Sequence, residues 1–305
     1  MKSSELNIVT GAFSYTGKYI THKLLGMGKR VKTITGHPDR PNPFGDKVFS
    51  APFNFDRPAE LVKGLQGAST LYNTYWVRFP YKQVTYDKAI ENTQILINAA
   101  KEAGISKIVH ISITHASEES PFPYFRGKGI LEKAIINSGL SYAIIRPTVI
   151  FGHEDILINN IAWFLRHLPV FAIMGTGDYR LQPVFVEDVA EIAINAAHCK
   201  EKVILDAVGP EIYPYKEFIK LIAGKVHNKA RIIHLQPRLA FILSKFIDCI
   251  VKDIVLTRDE VEGLMQNLLI SKDAPTGRMR LSEWLDKNAS TLGIAYASEL
   301  GRHYR

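Results

Sequence analysis

The sequence predicts an α/β fold: a doubly wound parallel sheet followed by a smaller, mostly helical C-terminal part. Three observations carry this expectation. Short β-branched runs alternate with amphipathic runs from residue 6 to about residue 147, the rhythm of strand–helix–strand units. The first apolar run, Leu6 to Thr10, passes through a glycine turn straight into an amphipathic run beginning at Lys18. The runs Lys107–Ser112 and Ser141–Arg146 are nearly all apolar at their centres, as in strands covered on both faces.

The elements follow in order. Arg30–Thr35 reads as the second strand, and Gly36–Pro43 as a loop dense in helix and strand breakers. Lys47–Phe53 is a third strand, Pro58–Leu65 a short helix closed by Gln66-Gly67, and Ser69–Trp76 a strand rich in aromatic and β-branched residues. Tyr86–Ala103 carries Ala89, Ile90, Thr93, Leu96, Ile97 and Ala100 at helical spacing and stops at Gly104. Gly127–Asn137 is a helix ending at Gly139. Beyond residue 147 the pattern changes to helices over Asn159–Leu168 and Glu187–Ala197, strands over Val203–Ala207 and Arg231–Leu235, and a strongly amphipathic helix over Leu239–Val251. The expected division is residues 1–152 and 153–305, with 182–207 returning to the sheet. The second part is expected to lie over the carboxyl edge of the sheet, and the 239–251 helix to act as its lid.

Composition narrows the class. The 305 residues hold a formal charge of +8 with basic residues scattered, and only Cys199 and Cys249 as thiols. That excludes a disulfide framework or cysteine zinc site and fits a reducing cytoplasm. The chain enters its first strand directly, so no leader is expected, and no apolar run is long enough for a membrane span. No basic strip interleaves with aromatics, so nucleic acid is not expected. The excess charge suits a solubilising surface, an anionic ligand or peripheral contact with an acidic membrane.

Gly11-Ala12-Phe13-Ser14-Tyr15-Thr16-Gly17 lies between strand and helix, the layout that sets a dinucleotide pyrophosphate on a helix N-terminus. Gly11 permits the turn and Gly17 permits close packing, while Phe13, Ser14, Tyr15 and Thr16 supply the loop. Ser14 stands where a third glycine is usual, and its hydroxyl is expected to donate to the phosphate. No acid follows Ile34 to take an adenosine 2′-hydroxyl, whereas His37 and Arg40 can meet a 2′-phosphate. The expected cofactor is therefore NADP, with NAD as the alternative. Tyr124 and Lys128, four apart at a helix start, share a face. The lysine can hold a ribose and lower the phenol pKa, and the phenol can exchange a proton while hydride moves. Thr114 or Ser112 would fix the substrate oxygen.

Over residues 6–197 the chain resembles an extended or atypical short-chain dehydrogenase/reductase. The matching motifs are Gly11–Gly17, Asn54-Phe55, Asn92, Tyr124 with Lys128, Arg146-Pro147-Thr148-Val149-Ile150-Phe151-Gly152, and Val186-Glu187-Asp188-Val189-Ala190. Within that superfamily it is similar to the branch holding NmrA-like redox sensors and the dehydrogenase-like accessory subunit of respiratory complex I. The resemblance implies Asn54 and Phe55 beside the adenine, Thr74 along the cofactor cleft, and Pro147 and Val149 near the nicotinamide. It also implies Tyr75, Trp76, Asn159 and Asn160 toward the substrate. Tyr75 and Trp76 are bulky where relatives have small residues, which narrows the cleft.

The expected activity is NAD(P)-dependent oxidation, reduction or epimerisation of a small carbonyl or alcohol. The alternative is a cofactor-binding sensor or scaffold that turns over nothing. A sugar-nucleotide epimerase or dehydratase is disfavoured by the nine residues between Thr114 and Tyr124. No metal site is expected, because no histidines sit at zinc-ligand spacing and His110 reads as a core residue. A homodimer is compatible with the sequence.

Overall fold

The computed structural model describes residues 5–304, apart from the side chains of Pro237, Ala240 and His303. The chain divides into two compact units: residues 1–147 with 186–207, and residues 148–185 with 208–305.

The first unit holds β1 (Leu6–Thr10), α1 (Tyr15–Gly26), β2 (Arg30–Thr35), β3 (Val48–Pro52), α2 (Pro58–Leu65), β4 (Thr70–Asn73), α3 (Tyr86–Glu102), β5 (Lys107–Ile111), α4 (Pro123–Asn137) and β6 (Ser141–Pro147). The second unit opens with β7 (Val149–Phe151), α5 (Leu157–His167), β8 (Val170–Met174), β9 (Arg180–Leu181) and β10 (Pro183–Phe185). The chain then returns to the first unit for α6 (Val186–His198) and β11 (Val203–Ala207). It ends in the second with β12 (Tyr213–Pro214), α7 (Tyr215–Lys225), β13 (Arg231–Leu235), α8 (Pro237–Val251), α9 (Arg258–Met265), α10 (Leu281–Asn288) and α11 (Glu299–His303).

The first unit is a seven-stranded sheet in the order β11-β6-β5-β4-β1-β2-β3, parallel at every pairing. Ile8, Ile34, Leu71, Ile108 and Ile144 point to one face and form a core with Leu61 and Leu65 of α2, Leu96 and Ala100 of α3, and Ile135 of α4. The helices α1 and α6 pack together and against the sheet strands. Strand order reverses between β1 and β4, so their carboxyl ends diverge and leave a crevice there.

Two boundaries differ from expectation. β4 stops at Asn73 rather than Trp76, because the Thr10 hydroxyl accepts from the backbone N–H of Thr74 at 2.7 Å and of Tyr75 at 3.1 Å and draws the chain off the ladder. α4 begins at Pro123, four residues before the expected Gly127; proline at the first helical position has its φ already set.

The second unit carries three two-stranded pairings, β7–β10, β8–β13 and the antiparallel β9–β12. Helices α5, α7 and α10 pack around Leu165, Phe218, Ile222 and Leu285, all buried. The division at 152 moves to 147 because β7 pairs with β10 and not with the large sheet. Residues 182–185 belong with the second unit for the same reason.

Candidate nucleotide-binding and reaction site

The turn after β1 is built by backbone geometry. Gly11 has φ +63°, a left-handed conformation natural to glycine, and its N–H donates to Ile34 O at 3.0 Å. A Cβ on Gly17 would lie 2.2 Å from the Gly11 carbonyl oxygen, so only glycine lets α1 start this close to the loop. Thr33 pins the turn from β2: its hydroxyl donates to Val9 O at 2.8 Å and accepts from Ala12 N–H at 3.0 Å.

Ser14 holds the loop from within. Its hydroxyl donates back to Gly11 O at 2.6 Å, and it makes no side-chain bond to the N–H groups of α1. That hydroxyl proton is therefore engaged within the loop and not directed at a phosphate. The first turn of α1 has no acidic residue, so its amides and the positive end of its dipole suit an anion. Phe13, Tyr15 and Thr16 are half-buried around it. Thr74 closes the loop from β4, donating to Thr10 O at 2.5 Å. These features fit a pyrophosphate: a cradle that a Cβ would fill, and a helix start with no side-chain cap.

At the end of β2, His37 and Arg40 are brought together: Arg40 N–H donates to His37 O at 3.3 Å. Burial first, and then the Arg40 charge, hold the His37 pKa below its ordinary value. An anion beside them would reverse the second effect. Asn54 follows β3 with φ +50°, and its side chain accepts from Arg57 at 2.9 Å. Phe53, Phe55 and Tyr75 form one aromatic wall, with ring centroids 4.6 Å apart for Phe53–Phe55 and 5.4 Å for Phe55–Tyr75. The Tyr75 hydroxyl accepts from Asn92 Nδ2 at 2.9 Å, so Tyr75 is a fixed part of this wall.

Tyr124 and Lys128 occupy the first two turns of α4. Lys128 is 3% exposed. Its ammonium donates to Ile111 O at 2.7 Å and sits 4.9 Å from the Trp76 ring centre. Burial pushes its pKa down to about 7, partly opposed by Glu132. Trp76 stacks on Tyr86 at 5.8 Å and meets Tyr124 edge-on at 5.9 Å. The seat is shaped for the indole: a Cβ on Gly127 would stand 2.6 Å from the Trp76 ring. Trp76 thus covers the lysine, and the bulk expected to narrow the cleft lies here.

A buried polar row lies alongside. Glu132, one turn after Lys128, forms a two-pronged ion pair with Arg146 and accepts from the Ser112 hydroxyl at 2.5 Å. The Ser112 hydroxyl is therefore engaged as a donor to Glu132. Thr114 is fully buried, with its N–H on Pro147 O at 3.1 Å at the end of β6. Next along the sheet, His110 Nδ1 meets Asn73 Nδ2 at 3.1 Å. Full burial holds this histidine's pKa well below its ordinary value, with Lys128 adding to the effect. Three buried atoms in this region have no protein partner: Trp76 Nε1, Asn92 Oδ1 and His110 Nε2. Glu132 was missed by sequence reasoning, although its place four residues after Lys128 was a usable signal.

Val149, Asn159 and Asn160 belong to the second unit. Val149 pairs with Pro183. The Asn159 and Asn160 side chains, expected toward the substrate, bond to backbone groups of the second unit. Asn160 donates to Ala297 O at 2.8 Å and accepts from Ala297 N–H at 2.9 Å. Asn159 donates to Ala295 O at 2.9 Å and accepts from Gly293 N–H at 3.0 Å. Both tie α5 to the segment before α11. Asp155 caps α5 through the N–H groups of Leu157 and Ile158 at 3.0 and 2.7 Å. Among the described residues, no group of His, Cys, Asp and Glu could hold a metal.

Residues 11–156 match a protein family described as NAD(P)H-binding. They form an NAD(P)H-binding domain. The chain is similar to NADH dehydrogenase (ubiquinone) 1 alpha subcomplex subunit 9 of Arabidopsis thaliana mitochondria, 23% identical over 285 residues, covering 87% of this chain and 71% of that protein. Its fold is shared with a nucleoside-diphosphate-sugar epimerase from Staphylococcus aureus, TM-score 0.74 at 17% identity, covering 92% of this chain and 99% of that one. It is shared equally with the Citrobacter triphenylmethane reductase solved with NADP(H), TM-score 0.73 at 16% identity, covering 93% and 99%. At these identities the structures establish the fold. The matched residues include the glycine turn, the uncapped start of α1 and the aromatic wall.

Proposed function

We propose that the chain binds NADPH in preference to NADH and reduces a small carbonyl compound, or oxidises the corresponding alcohol. The observation that carries this is the placement of Tyr124 and Lys128 on adjoining turns of α4, with Thr114 at the end of the neighbouring strand pair. Reduced nicotinamide, when bound, supplies the hydride. Tyr124 gives the proton to the substrate oxygen, Thr114 replaces Ser112 as the hydroxyl that positions that oxygen, and Lys128 holds the ribose. The α1 amides and Gly11–Gly17 hold the pyrophosphate, and His37 with Arg40 takes the 2′-phosphate.

A specific observation favours a second reading, a cofactor-binding accessory or sensor protein. Trp76 covers the Lys128 ammonium, and the similar protein of Arabidopsis thaliana is a subunit of NADH dehydrogenase. One experiment separates the two: NADPH oxidation over a panel of aldehydes, ketones and quinones, for wild type and Tyr124→Phe. Turnover that falls by about 10²–10⁴-fold in the variant, with NADPH affinity nearly unchanged, supports the reductase. Equal turnover in both removes Tyr124 from the chemistry. NADPH binding with no turnover in either favours the accessory role, and tighter binding of NADH than NADPH refutes the 2′-phosphate assignment.

A further inference from the structure

α8 presents an apolar face to solvent. Leu239, Ile242, Leu243, Phe246 and Ile250 are 52, 53, 46, 63 and 76% exposed. Their spacing of three, four, seven and eleven residues places them on one side of the helix. The opposite side, with Ser244 buried and Phe241 and Ile247 half-buried, packs inward. A contiguous exposed patch of this kind marks an interaction surface.

The charges around the patch identify its partner. Residues 237–256 contain three cations and two carboxylates, a mixed pattern that argues against a lipid surface when read as sequence. Folding sorts them. Asp253 is 3% exposed and accepts from the N–H groups of Glu299 and Leu300 at 2.7 and 2.9 Å. The Asp248 side chain is 14% exposed and accepts from Val255 N–H at 2.9 Å and from Lys245. Arg238, Lys245 and Lys252 are all exposed. The segment therefore shows solvent an apolar stripe bordered by Arg238 and Lys252, and by Lys245 in an ion pair with Asp248.

We propose that α8 is a membrane-surface helix that lies on an anionic lipid bilayer, with its apolar stripe at the headgroup–acyl boundary and Arg238 and Lys252 on lipid phosphates. With 15 residues it is too short to span a bilayer, and no described helix is long and apolar enough to do so. A second copy of the chain fits less well. A two-fold pairing centred on the middle of the helix sets Arg238 against Lys252 and Lys245 against its own counterpart, so every exposed charge meets a like charge.

The test is co-sedimentation of the full chain with vesicles of phosphatidylcholine alone or with one-third phosphatidylglycerol. Binding to the anionic vesicles is expected, weakened by added salt, and at least tenfold weaker for Phe246→Glu/Ile250→Glu. Both positions are exposed, so the thermal midpoint of that variant should match wild type. A polarity-sensitive dye on the exposed Cys249, with Cys199→Ser, should shift to the blue on anionic vesicles. Absence of wild-type binding, or binding that survives the double substitution, overturns the proposal. So does light scattering that shows a dimer split by the same variant without vesicle binding, which assigns the face to a second copy.

Discussion

Two glycines of α1 should respond in opposite ways to the same substitution. Alanine is more favourable than glycine inside a helix by about 1 kcal/mol, so helix propensity alone predicts a gain at both Gly17 and Gly26. At Gly26 an added Cβ meets nothing within 4 Å, and Gly26→Ala should stabilise by a few tenths to about 1 kcal/mol. At Gly17 the new Cβ would stand 2.2 Å from the Gly11 carbonyl oxygen, 2.8 Å from its carbon and 3.2 Å from Thr10 O. All three are backbone atoms, so no rotamer can relieve the contact, and α1 must move off the loop by roughly 1 Å. Overpacking of this kind costs about 1–3 kcal/mol, which exceeds the propensity gain. The same movement displaces the amides proposed to face the pyrophosphate. Loss of one charge-assisted hydrogen bond, about 1.5–3 kcal/mol, corresponds to roughly 10–100-fold weaker NADPH binding. Urea unfolding and calorimetric titration with NADPH measure both effects. Gly17→Ala as stable as Gly26→Ala, with wild-type affinity, would refute the close-approach argument.

Other consequences follow from buried charge. Glu132→Gln removes the charge that faces Arg146 and one of the two oxygens that Arg146 and Ser112 share and should cost about 3 kcal/mol, toward the low end for a broken buried pair because Arg146 is partly exposed; urea unfolding reads this, and a change below about 1 kcal/mol would show that the pair is not needed. Lys128, near 7 in the cofactor-free chain, is largely neutral at pH 8. If it holds the ribose near the anionic cofactor, NADPH binding at pH 8 should take up a proton, seen as a buffer-dependent binding enthalpy that Lys128→Met abolishes. Asp155 has its pKa raised to about 7 by burial. Its contribution to stability is complete below pH ~4, where both states are protonated, and is lost as pH rises to about 7. Asp155→Asn cannot titrate, so its thermal midpoint should fall less than that of wild type between pH 4 and pH 8; equal falls would remove Asp155 as the cause.

Local patterning along the chain specifies the sheet and the glycine turn and sets Tyr124 and Lys128 at one helix start. Local periodicity and turn chemistry were enough to place Arg30–Thr35, Pro58–Leu65 and Val203–Ala207 at the observed bounds, because a strand or helix is specified by its own alternation of apolar and polar residues. Gly17 was legible for the same reason, since it sits at a fixed offset from the strand it packs on. Which polar group each side chain meets depends on the packed fold. Thr10 ends β4 through amides 64 and 65 residues away. Ser112 and Arg146 converge on Glu132, and Asn160 reaches Ala297 rather than a ligand. At the end of α8, Asp253 turns inward to the amides of Glu299 and Leu300. These partners come from distant segments, and no local pattern encodes them. They are fixed only when packing forces each buried donor and acceptor to find its complement.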